Sequence, residues 1–167
     1  MKYLTILILL LGLLGNRFNA TAQDAKFQAL IMYNFTKLLD WPDKSGDFVI
    51  NIIGNVDLAK ELKEFTANKK AGGVQEIIVK KVLVNELLDC QMIYVGSSES
   101  GNLDKIIEII GGNNTLLITE KNGLTDKGAS ISFVKINGNW KYQFSESNIK
   151  TQGLKVSSDF KELGIAK

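Results

Sequence analysis

The stretch CQMIYVGSSESGNLDKIIEIIGGNNTLLITE, Cys90 to Glu120, decides the fold. Its first seven residues form a short apolar run bounded by a glycine, the signature of a buried central strand. Ser97 to Asn102 are small and polar and supply helix caps. In LDKIIEII the apolar positions recur at helical spacing, and Gly111-Gly112 stop the element. TLLITE then repeats the short apolar run. Strand, helix and strand of this kind belong to a parallel sheet covered on its faces. The residues upstream repeat the pattern. DFVINIIG, ending at Gly54, is a β-branched strand. Asn55 or Asp57 caps a helix with Leu58, Leu62 and Phe65 at i, i+4 and i+7. After loop signals at Asn68 to Gly73 comes the strand-like QEIIVKKVLV, followed by a short polar helical turn, NELLD.

At both ends of the chain the pattern changes. ISFVKINGNWKYQF, Ile131 to Phe144, is two runs joined by Asn137-Gly138, a strong hairpin signal. With those two residues as the turn, Ile131 faces Phe144, Phe133 faces Tyr142 and Lys135 faces Trp140, which lays a lysine over an indole. The chain closes in a helical segment interrupted at Gly153 and a last helix from about Ser158. Near the N-terminus Phe27, Leu30, Ile31, Phe35, Leu38 and Leu39 recur at helical spacing and predict a broad buried face. That helix runs into YNFTKLLDWP, Tyr33 to Pro42, which holds the only proline. Proline lacks an amide proton and disfavours the α region in the residue before it, so Trp41-Pro42 should end the helix. No repeat or linker divides the chain, and the reading is one compact α/β domain over residues 23–167.

Residues 1–22 read as a signal peptide: Lys2, an apolar run from Leu4 to Leu14, then Ala20-Thr21-Ala22 as a cleavage signal. The run is short of the ~18 residues that a membrane-spanning helix needs. The expectation is an exported protein that starts near Gln23 and is not itself inserted in the membrane. Removing Lys2 and Arg17 takes the formal charge from +2 to zero, which leaves no electrostatic footprint for nucleic acid. The chain has no histidine, and Arg17 is its only arginine. Serine–histidine and cysteine–histidine nucleophiles and histidine-based zinc sites are therefore excluded. A pair of carboxylates stays formally open as catalytic chemistry. The expectation is a protein that is not an enzyme and carries no cofactor. Cys90 is the only cysteine, either a buried small hydrophobe or an intermolecular linker, and its apolar run favours burial.

Two groups of residues are candidate sites. Gly54 and Asn55 follow the first strand, while Gly96, Ser97 and Ser98 follow the third. Both loops would flank one edge of a parallel sheet, where α/β proteins bind small ligands. Against that, Gly96 to Gly101 lacks both the dinucleotide glycine spacing and a phosphate-loop lysine, and its Glu99 would repel an anion. The second group is Tyr33, Asn34, Phe35, Trp41 and Pro42. Its aromatics suit either a core or a partner-binding patch.

YNFTKLLDWP also resembles the signature of the YfiR family (YfiR/HmsC-like periplasmic regulators). Further matches follow in order: FVINIIGN, CQMIYVGSSES, TLLITE, ISFVKINGNWKYQF and GLKVSSDFKELG. The resemblance covers essentially all of residues 23–167. It implies a periplasmic regulator with a Rossmann-like fold, a mostly parallel sheet and an antiparallel hairpin near the C-terminus. The best-known members restrain a membrane-bound diguanylate cyclase by contacting its periplasmic sensor region, and so limit cyclic di-GMP and biofilm formation. The implied partner is thus a membrane-bound sensor, a diguanylate cyclase or a sensor kinase, and a homodimer is implied as well. Redox control in known members uses paired cysteines. Cys90 matches one such position, and the chain has no second cysteine to pair with it.

Overall fold

The computed structural model describes residues 23–167. The expected leader and its cleavage site lie outside the described residues. Helix α1 spans 23–38 and is followed by β1 (Leu39–Asp40) and β2 (Phe48–Ile53). Then come α2 (Val56–Thr66), β3 (Lys70–Ala71), β4 (Gln75–Lys81) and β5 (Met92–Val95). The unit that decided the reading continues with α3 (Leu103–Ile110) and β6 (Leu116–Thr119). The C-terminal part holds β7 (Ile131–Ile136), β8 (Asn139–Phe144), α4 (Glu146–Thr151), β9 (Lys155–Val156), α5 (Ser158–Leu163) and β10 (Ile165–Ala166). Among the described residues no helix is long and apolar enough to cross a membrane.

The main sheet has the order β10-β8-β7-β6-β5-β2-β4-β3. Strands β4, β2, β5, β6 and β7 run parallel, and β8 returns antiparallel beside β7. Side chains alternate across it as the pleat requires. Ile50, Ile52, Met92, Tyr94, Leu116 and Ile118 point to the face covered by α1, α2 and α5. Ile53, Ile93, Val95 and Leu117 point to the other face, against Leu103, Ile106 and Ile110 of α3. Burial on both faces explains why these strands read as continuous apolar runs.

The hairpin has the register expected from its turn, with Ile131 opposite Phe144, Phe133 opposite Tyr142 and Lys135 opposite Trp140. Asn137 (φ 51°) and Gly138 (φ 78°) both sit in the left-handed region that a two-residue hairpin turn demands. The Lys135 ammonium lies 4.7 Å from the Trp140 ring centre. Behind the hairpin, Phe35, Tyr142 and Phe160 pack edge to face or tilted with centroids 5.0 to 5.6 Å apart. The Tyr142 hydroxyl donates to the Phe160 carbonyl at 2.6 Å, pinning α5 to β8. Gly164 passes so close that a Cβ there would collide with the Tyr142 ring.

Several local expectations are corrected. Helix α1 ends at residue 38, before Trp41, because Leu39 and Asp40 pair with Val156 and Lys155 instead. Its buried face is Ala25, Gln28, Ala29, Met32, Phe35 and Thr36, whereas Phe27 and Leu30 are exposed and Ile31 and Leu38 half-buried. In α2 the third buried position is Thr66, and Phe65 lies half-covered against Tyr33. Ser97–Asn102 winds as 3-10 helix into α3 and supplies no side-chain cap.

Candidate functional site

Two faces of α1 decide what the surface offers. Inward, small or flexible residues let the helix lie close on the sheet. Outward, Phe27 (41% exposed), Leu30 (42%), Ile31 and Leu38 form a second apolar stripe at i, i+3, i+4 and i+11. This stripe and Asn34 make one wall of a groove of about 310 Å³. Trp140, Lys141 and Tyr142 of β8 and Leu163 of α5 (64% exposed) make the other wall. An apolar stripe left uncovered along a groove marks an interaction surface, and this stripe is separate from the buried face of α1.

Both ends of the groove are polar, in different ways. At the α1 N-terminus, Asp24 accepts from the Trp140 indole N–H and from the Lys135 ammonium, both at 2.7 Å. Its charge is matched there, and the indole is held in place as a groove wall. At the other end Leu38 is shared with a cleft of about 350 Å³ lined by Lys37, Asp40, Lys44, Lys155 and Val74, with Trp41, Phe48 and Gln75 beneath. Asp40 bonds Lys44 at 2.7 Å, which lowers its carboxyl pKa.

The five motif residues therefore separate. Phe35 and Trp41 are core. Trp41 packs edge to face on Phe48, with centroids 4.9 Å apart, and its indole N–H donates to the Gln91 carbonyl at 3.2 Å. Tyr33 stands on the opposite flank of α1, with the Lys37 ammonium 4.4 Å from its ring centre. Asn34 lines the groove, and Pro42 is exposed. The residues that sequence reasoning did not bring together are Phe27, Leu30, Leu38, Trp140 and Leu163. An excess of bulky apolar positions around α1 was the available signal.

The two glycine loops do converge, at the ends of β2 and β5. Gly54 has φ +72°, and a Cβ on Gly96 would lie 2.7 Å from the Gly54 carbonyl oxygen. Asn55 caps α2 by accepting from the Leu58 amide at 2.9 Å. The protein's own carboxylates fill the crevice. The Ser97 amide donates to Glu120 at 2.8 Å, Glu99 accepts from Asn102 at 2.8 Å, and the Glu99 side chain lies over Gly54. Ser98 closes in beside it, with its hydroxyl 3.1 Å from where a Gly54 Cβ would stand. An anion placed here would face two carboxylates. Cys90 is buried two residues before β5, and desolvation pushes its thiol pKa up to about 12. A thiol so held stays protonated and is a poor nucleophile.

A family model described as YfiR/HmsC-like matches residues 25–164, and the chain belongs to that family of periplasmic regulators. No curated protein matches the chain.

Proposed function

We propose that this YfiR/HmsC-like protein restrains a membrane-bound signalling protein, a diguanylate cyclase before a sensor kinase, by holding part of its periplasmic sensor region in the groove beside α1. The observation that carries the reading is the outward stripe of Phe27, Leu30, Ile31 and Leu38 facing Trp140 and Leu163. A few aromatic and aliphatic anchors in a groove are the usual source of binding energy at an interface. The protein acts by binding and not by catalysis, and it reaches its partner as an exported chain cleaved after Ala22.

An inhibitor of this kind works only by preferring the partner's inactive state. Moving a partner from 1:99 to 99:1 in favour of that state takes about 5.5 kcal/mol of differential affinity. Use of the Gly54 and Gly96 loops for a small ligand is the weaker reading, because Glu99 and Glu120 occupy that crevice. Deleting the gene should raise cellular cyclic di-GMP, and the wild-type gene should bring it back down. An unchanged level after deletion would rule out a cyclase as the partner.

A further inference from the structure

Resting on the reading of the groove as the partner-binding face, we propose that its occupant is an amphipathic helix with an acidic end. That helix lies along α1 with the acidic end over Lys44 and Lys155, beside Lys37. Three cavities lie end to end here. The first, between Asp24 and Gly138, shares Phe27 and Trp140 with the groove, and the groove shares Leu38 with the lysine-bearing cleft. From residue 27 to residue 38 the trough follows about 16 Å of helix, enough for three turns of a partner. The stripe on α1 repeats every three or four residues, the ridge spacing against which a second helix packs.

Charge gives the occupant its chemistry and its direction. The groove and cleft together are lined by Lys37, Lys44, Lys141 and Lys155 against one carboxylate, Asp40, which Lys44 already holds. Positive charge is therefore in excess, with Lys44 and Lys155 at the residue 38 end and Lys37 on its flank over Tyr33. At the other end the Asp24 carboxylate is already matched by Lys135 and the Trp140 N–H. A helix with carboxylates in one terminal turn fits this trough one way round. One with lysines in that turn would place like charges together.

The test uses the purified protein and three fluorescein-labelled, helix-stapled peptides of one length. The first carries leucines at i, i+4, i+7 and i+11 and glutamates in its last turn. The second carries lysines in place of the glutamates, and the third is a scrambled sequence of the first. Fluorescence anisotropy at low salt should show the glutamate peptide binding roughly tenfold tighter than the lysine peptide. Lys37→Glu with Lys155→Glu should reverse that order, and Leu30→Ser should weaken both peptides while the melting temperature holds. Equal affinity for the first two peptides would overturn the proposal, as would binding of the scrambled peptide or no binding by any. If deletion changes cyclic di-GMP but the charge preference is absent, the regulatory reading stands and the acidic helix fails. If the preference holds and cyclic di-GMP does not change, the cyclase reading fails and the groove assignment stands.

Discussion

Helices α1 and α3 flank opposite faces of the same sheet and use their apolar residues differently. In α3, Leu103, Ile106 and Ile110 are bulky, they lie on one face, and that face is buried, with only Ile109 left well exposed. In α1 the bulkiest stripe points outward, and the buried face relies on Ala25, Ala29, Met32 and Thr36, with Phe35 toward its C-terminal end. Hydropathy and burial coincide where a helix only closes a core. They separate where a helix also has a surface to present. The small inner residues bring the α1 backbone close to the sheet, and the large outer ones stay beside Trp140 and Leu163 as a groove wall.

Core truncation should produce the largest effects and should treat the two helices alike. Phe35→Ala in α1 and Ile106→Ala in α3 remove fully buried side chains. Denaturant unfolding should show losses of about 3–5 and 2–5 kcal/mol respectively. If Phe35→Ala cost less than about 1 kcal/mol, the inner face of α1 would not be core.

Overpacking should come next and should separate the two faces of α1. Ala29→Leu forces a larger side chain between helix and sheet, where Ala29 has no exposure, and should cost about 1–3 kcal/mol. At the next residue, on the outer stripe, Leu30→Ala should stay within about 1 kcal/mol of wild type. Equal losses at the two positions would break the distinction between the faces.

The thiol on the α3 face should give the smallest effect. With burial raising its pKa to about 12, Cys90 remains protonated across neutral pH. It should resist iodoacetamide at pH 8 in the native protein and react quickly once unfolded. Cys90→Ser should leave regulatory output the same under oxidising and reducing conditions, since the chain has no other cysteine. Rapid native alkylation would mean that the segment leading into β5 opens far more readily than its packing indicates.

The hairpin was legible to the residue because Asn-Gly fixes the turn and a period of two fixes everything after it. The α3 unit was legible because a helix with one bulky face has one way to lie on a sheet. The inner face of α1 was not, since hydropathy ranks Phe27 and Leu30 above Ala25, Ala29 and Thr36. The partners that settle the choice, Tyr142 and Phe160, lie over a hundred residues away. Strands β1, β3, β9 and β10 have two residues each, too few to carry a period. The candidate site was hidden for the same reason. Trp140 could be placed in its hairpin, but its bond to Asp24 and its position across from Phe27 exist only in the folded chain.

The most direct test of the outward α1 stripe as the working surface is a paired measurement on one variant, Leu30→Ser with Leu163→Ser. Both side chains are exposed groove walls, so the melting temperature should stay within a few degrees of wild type. In a strain lacking the chromosomal gene, the same variant should fail to bring cyclic di-GMP down where wild type succeeds. Full restraint by a normally folded and normally exported double variant would contradict the assignment of this groove.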